Sequence, residues 1–322
     1  MSTRTFFDYY GHVKPPAAFA VLDASVAAER ERLASSAQAV QRSELANLAF
    51  EEIVASCAQA GAALEPHAMR ALLERGLALG DRPLRDYLIA SGYAAAAQLV
   101  HSAEPPRAGE PLLRQEEIVE LHARATRLLP DARPGAWRIT TSAALRSGMV
   151  PPPFWLVPRE VAGYVDRFSS PPSERGSSMV FIADAHERFT RIHPFSAGNG
   201  RVARLVTNLL LRRLGYPPFF VRRTQLARYR AALARADARD PWPLAAFVAR
   251  SILAGLGRLA SAGDAASLRP LTEFVGAYGR EALYKAAQRG RLRTVRKGRA
   301  LFTTEAWLGD YLGGASRSRP KV

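Results

Sequence analysis

From Ala24 to about Leu99 the apolar residues recur at helical spacing with few breakers, and this restricts the fold more than any other feature of the chain. Ala27-Ala28-x-x-x-x-Leu33 and Leu45-x-x-Leu48-x-Phe50-x-x-Ile53 have the period of amphipathic helices rather than the alternation of half-buried strands. The period returns at Glu116–Leu129, where Ile118, Val119, Leu121, Ala125, Leu128 and Leu129 share a face. It continues at 179–192, 205–214, 225–236 and 243–259. Pro130, Pro134-Gly135, and Gly215 with Pro217-Pro218 supply the stops. A mostly α fold is expected. Two stretches differ. Met1 to Asp23 is aromatic, then Pro-containing, and reads as an extended arm. Trp137 to Pro158 combines Thr140, Thr141 and Val150 with Pro151-Pro152-Pro153, which forbids a continuous helix and predicts a short β-hairpin or flap.

A length of 322 residues suggests about two domains. The Pro- and Gly-containing stretch 104–111 and the small polar stretch 261–267 suggest breaks. The expected division is an N-terminal arm and helical region at 1–112, a central domain at 113–260, and a basic module at 271–322. Cys57 is the single cysteine, which excludes a disulfide framework and a cysteine metal knot. No charge-free apolar run approaches the ~18–20 residues of a membrane span, and the N-terminus lacks an apolar signal core. A soluble, cytoplasmic chain with no membrane partner is expected. The net charge is +16, and apart from Lys14, Lys285, Lys297 and Lys321 every base is arginine. That balance fits either an ordinary solvated surface or an anionic partner, and the placement of the charge decides between them.

One stretch concentrates chemistry: His193-Pro194-Phe195-Ser196-Ala197-Gly198-Asn199-Gly200-Arg201-Val202-Ala203-Arg204. An apolar helix ends at Ile192, a loop with two glycines follows, and the next helix begins near Gly200 or Arg201. Glycines at such a turn let backbone N–H groups converge on an anion, and a helix N-terminus adds its positive dipole end. Arg201 and Arg204, three apart, share one helix face beside that nest. Two guanidinium forks and a backbone nest form a cradle for polyphosphate. His193, at the mouth of the loop, is placed to take a proton near neutral pH. A lone histidine is more often structural and Gly-Asn-Gly is a common turn. The combination with two arginines carries the signal.

This stretch resembles the signature of the Fic family, H-P-F-x-[DE]-G-N-G-R-x-x-R, at every fixed position but one. Leu209 to Pro218, Tyr229 to Leu233, Ala236 to Asp240, Leu121-His122, Trp137-Arg138 and Val150 to Pro153 are similar to the surrounding family segments, so the resemblance covers about 115–255. It implies a Fic-type helical fold with a short β-hairpin flap. It also implies an enzyme that moves AMP from ATP to a Ser, Thr or Tyr hydroxyl of a target protein (AMPylation). On that pattern His193 is the base, and Gly198, Asn199 and Gly200 cradle the phosphates. Arg201 and Arg204 bind the β- and γ-phosphates, Phe195 anchors the loop, and the flap from about Thr140 to Pro153 aligns the target by strand-like pairing. The departure is Ala197, where the family has the acidic ligand of Mg²⁺; a methyl group offers no oxygen to a hard cation. Three readings stay open: metal held by ATP and water with weakened activity, a substitute carboxylate such as Asp184 or Glu187, or a nucleotide-binding regulator deficient in transfer. Many relatives also carry an inhibitory S/T-x-x-x-E-G/N helix whose Glu pairs with the second arginine. Here Glu44 is the candidate to face Arg204, although Val40 and Leu45 depart from the pattern, and a solvated helix carboxylate is the alternative.

The stretch 271–322 holds eleven bases and four acids, a net +7. Its expected order is a helix at Arg280–Ala287, strands at Leu292–Val295 and Ala300–Thr303 around the turn Arg296-Lys297-Gly298-Arg299, and a last helix capped by Thr304, with Ala306, Trp307, Leu308 and Tyr311 facing a core. This resembles a winged-helix or excisionase-like module. It implies duplex DNA as partner, with Arg296, Lys297 and Arg299 on phosphates; a basic protein-docking lobe is the alternative.

Overall fold

The computed structural model describes residues 15–34, 38–143, 148–173 and 176–317. The chain divides into two compact units, one formed by 1–31 and 45–256, the other by 32–44 and 257–322.

In the first unit the helical periodicity becomes α1 (Ala17–Ala34), α2 (Gln38–Gln59), α3 (Pro66–Arg75), α4 (Leu84–Ser102), α5 (Gln115–Thr126), α6 (Val157–Phe168), α7 (Ser178–Ile192), α8 (Asn199–Arg213), α9 (Leu226–Asp237) and α10 (Trp242–Ala266). The unit boundary falls within α1, α2 and α10. The arm expected to run extended to Asp23 is helical from Ala17, because the Ala- and Val-rich segment after Pro16 has no breaker; the aromatic residues before it lie outside the described residues.

The centre is α8. It packs against α4, α5 and α7, and Val202 to Leu211 are all buried, as a helix enclosed on every side requires. Close approach of α4 and α5 depends on Gly92, where a Cβ would stand 2.9 Å from the Ala125 carbonyl oxygen. The polar groups in this core are matched. Thr207 gives its hydroxyl proton to Ala203 O, so it accepts from His186 Nδ1 at 2.8 Å, and His186 Nε2 in turn accepts from Tyr229 at 2.7 Å. α7 is started by Ser177, whose Oγ accepts from the Val180 N–H. α10 is long and apolar enough to cross a membrane, which the sequence reading did not anticipate, but over half of its most apolar window is buried inside the protein, as in a core helix.

Between α5 and α6 the chain shows no strand among the described residues 137–143 and 148–153. The hairpin expected of the flap is therefore not paired there, and its tip, 144–147, lies outside the described residues.

In the second unit, β1 (Arg269–Pro270) leads through the turn Leu271–Phe274 into α11 (Val275–Tyr278) and α12 (Arg280–Gln288). β2 (Val295–Lys297), β3 (Ala300–Thr303) and α13 (Glu305–Arg317) follow. The antiparallel sheet has the order β1-β3-β2, with Val295 opposite Phe302 and Lys297 opposite Ala300. The hairpin is later than expected. Gly298, at φ 61°, and Arg299 alone form its loop, which draws Arg296 and Lys297 into β2. Thr304 caps α13 as expected, its Oγ accepting from Trp307 N at 3.1 Å. Trp307 and Leu308 are buried, whereas Ala306 is exposed.

Candidate active site

The loop between α7 and α8 is held from both ends. His193 closes α7 in the left-handed region, at φ 50°, and is half-buried. Phe195 is fully buried and stacks on His122, ring centroids 3.6 Å apart. Asn199 clasps Phe195 in both directions: its Oδ1 accepts from Phe195 N at 2.9 Å and its Nδ2 donates to Phe195 O at 2.7 Å. The Asn199 side chain thus closes the loop, which leaves its backbone N–H as the group directed to an anion.

Two residues to which sequence reasoning gave no role complete this frame. His122, wholly buried on α5, accepts the Gly135 N–H on Nδ1 at 2.9 Å. Its Nε2 therefore carries the proton and donates to Ala197 O at 3.1 Å. Burial holds its pKa down at about 4, against the pull of the Ala197 carbonyl, so the ring stays neutral. Arg138, 3% exposed, donates from Nε to His193 O at 2.8 Å and from its two terminal nitrogens to Thr140 O, Pro152 O and Ile192 O. Its backbone N–H reaches Pro194 O at 2.9 Å. One guanidinium thus ties both ends of the flap to the residue proposed as base. The signal for each was a polar residue on an otherwise apolar stretch, which pattern alone cannot assign to a partner.

Gly198 caps α8 at φ 80°; a Cβ there would stand 3.1 Å from Thr126 Cγ2 and 3.2 Å from the Arg201 guanidinium. Gly200 is exposed on the first turn. Arg201 and Arg204 are 7% and 5% exposed. Arg201 donates to Ala125 O at 3.0 Å, and burial lowers its pKa. Arg204 is held by α2: Nε to Ser56 Oγ at 2.8 Å, another nitrogen to Ser56 O at 2.9 Å, and the third to Gln59 Oε1 at 3.4 Å. Ser56 passes its own proton to Glu52, which also accepts from Tyr93 at 2.5 Å. Among the described residues no carboxylate forms an ion pair with Arg201 or Arg204. Two buried guanidiniums with neutral partners, at the N-terminus of a buried helix, are suited to receive an anion.

Glu44 is not Arg204's partner. It pairs with Arg258 at 2.6 Å, and it precedes Ser56 by twelve residues, about 18 Å along the same helix. The segment that does meet Arg204, Ser56 to Gly61, fits the S/T-x-x-x-E-G/N pattern with Ala60 in the acidic place. That match was open to sequence inspection and was missed in favour of a nearby glutamate.

The metal ligands do not fit. Ala197 presents a methyl group, and Asp184 spends both oxygens on Arg167 and Arg188, at 2.8 and 2.7 Å. Glu187 stands against Arg191, its pKa pushed up to about 7 by burial. No group of three His, Cys, Asp or Glu side chains suited to a metal occurs among the described residues.

Residues 112–211 match the model of the Fic/DOC family. The chain carries a Fic domain. Protein adenylyltransferase Fic of Nematostella vectensis is 29% identical over 202 residues, covering 62% of this chain and 46% of that protein. Protein adenylyltransferase fic-1 of Caenorhabditis elegans is 28% identical over 190 residues, covering 59% and 37%. The chain therefore spans less than half the length of these relatives. A solved structure of C. elegans Fic-1 superposes on 76% of this chain and 73% of its own with a TM-score of 0.69, at 24% identity. A Fic family protein from Desulfovibrio desulfuricans covers 90% and 97% with a TM-score of 0.61, at 17% identity. These likenesses concern the fold. The motif of the Fic domain, His193 to Arg204, lies wholly in the first unit, and Arg296, Lys297 and Arg299 belong to the second.

Proposed function

We propose that this protein is an adenylyltransferase that moves AMP from ATP to a hydroxyl of another protein. The observation that carries the reading is the pair of buried guanidiniums without carboxylate partners beside His193, which suits the β- and γ-phosphates of a nucleotide. The names of the relatives support the same chemistry. His193 takes the proton of the target hydroxyl, and the hydroxyl oxygen bonds to the α-phosphorus. The bond from that phosphorus to the β-phosphate oxygen breaks, and pyrophosphate leaves with its charge met by Arg201, Arg204 and the first N–H groups of α8. Among the described residues no protein ligands for Mg²⁺ fit, so a cation would rest on the nucleotide's own oxygens and water. The target has room beside the flap: a cavity of about 970 Å³ is lined by Val150, Pro152, Arg159, Gly163, Arg188 and Ile192, the residue before His193.

Ala197 favours a second reading, a nucleotide-binding regulator with little transfer. Both readings place nucleotide at the arginines, and His193-dependent transfer of label from ATP to protein separates them. ATP raises the melting temperature of the wild type, and Arg201→Ala removes most of that shift. Ala197→Asp then raises the rate of transfer if weak metal binding limits it. An equal ATP shift in wild type and Arg201→Ala would place the nucleotide elsewhere and overturn both readings.

A further inference from the structure

The second unit has cations that its carboxylates leave unmatched. Between Arg269 and Gly313 the acids are Glu273, Glu281, Glu305 and Asp310. Glu273 and Glu305 are both taken by Arg269 at 2.7 Å, and Glu281 by Lys285 at 2.5 Å. Arg293 turns to Asp264 and lies over the Trp307 ring. Arg280, Arg289, Arg291, Arg296, Lys297 and Arg299 remain, all exposed and without a carboxylate partner among the described residues. They fall on α12, the segment that follows it and the hairpin.

The architecture gives that imbalance a direction. A single helical turn, α11, is joined to α12 by Gly279 at φ 77°. Leu283 and Ala286 of α12 enter a core with Leu271, Phe274, Leu292 and Leu308, leaving Arg280, Lys285, Gln288 and Arg289 outside. A major groove admits a basic helix of this kind, and a basic hairpin following it reaches the flanking phosphates. We propose that α12 and the β2–β3 hairpin form a surface for duplex DNA. Arg296, Lys297 and Arg299 contact the backbone, and Gln288 and Arg289 reach base edges. Tyr284 and Lys285 of the same helix are held back by the core and by Glu281. Tyr278 and Val295 are the only large apolar residues exposed in this stretch among those described, too little for the apolar centre of a protein interface or the buried face of a membrane helix. The deep, narrow major groove of A-form RNA would not admit α12.

The test is fluorescence anisotropy of a labelled duplex of about 20 base pairs with the full chain, from low to moderate salt. The triple variant Arg296→Ala, Lys297→Ala, Arg299→Ala is expected to bind about tenfold more weakly on every sequence, with a salt slope lower by about 2 to 3. An equal charge loss elsewhere, Arg75→Ala with Arg228→Ala and Arg230→Ala, is expected to cost less than about twofold, since without phosphate contacts only the screened long-range field changes. The ATP-induced melting shift, which reports the other site, stays unchanged in the first variant. Equal weakening in both variants, equal binding of double-stranded RNA, or retention on phosphatidylserine vesicles rather than duplex DNA would overturn the proposal.

Discussion

His122 is a histidine kept neutral, and the reason is local. Its Nδ1 already accepts a hydrogen bond, its ring is stacked under Phe195, and no carboxylate faces it. The unfolded chain takes this proton near pH 6.5 and the folded chain only near pH 4. Stability from this residue is therefore complete above pH 6.5 and declines through that window, by about 3 kcal/mol in all. Glu187 runs the other way. Burial raises it from 4.5 to about 7, so the folded chain binds its proton first and gains stability as pH falls through that range. The two nearly cancel between pH 6.5 and 4.5. Replacing Glu187 with Gln is expected to expose the histidine: the melting temperature should fall about 5 °C further than the wild type's between pH 7 and 4.5. Parallel melting curves would contradict this. At Gly198 an alanine must enter the left-handed region and crowd Thr126 and Arg201, so chemical denaturation should show a loss of about 1–2 kcal/mol, together with a smaller ATP shift.

At the scale of elements, the flap has no sheet to hold it among the described residues, and Arg138 supplies the attachment. Arg138→Lys keeps the charge but cannot span carbonyls of Thr140, Pro152, Ile192 and His193 together. Amide exchange at 139–143, 149 and 150 should then quicken by about tenfold while α7 and α8 keep their protection. Uniform quickening would mean that Arg138 supports the whole unit. The helices were legible because each carries its own period and its own stops, as α5 shows between Arg114 and Pro130. The His193–Arg204 site was legible because its residues are contiguous. What brings Ser56, His122 and Arg138 to it is tertiary packing of α2, α5 and the flap's first residues, which leaves no local mark. Glu44 misled because it lies near a pattern that the chain meets, but for Ala60 in the acidic place, from Ser56 onward. The C-terminal hairpin was placed early because Arg296 and Lys297 read as turn residues, whereas the positive φ at Gly298 decides the loop.

For the whole molecule, we propose nucleotide chemistry for the first unit and charge-driven binding for the second. In that proposal His193 and the two uncompensated arginines transfer AMP. The direct measurement is incubation of the protein with cell lysate and ATP labelled on the α-phosphate, wild type beside His193→Ala, with γ-labelled ATP in parallel. α-Label is expected on protein with the wild type, little with the variant, and none from the γ-position. Label that does not depend on His193, or that travels from the γ-phosphate, would contradict it.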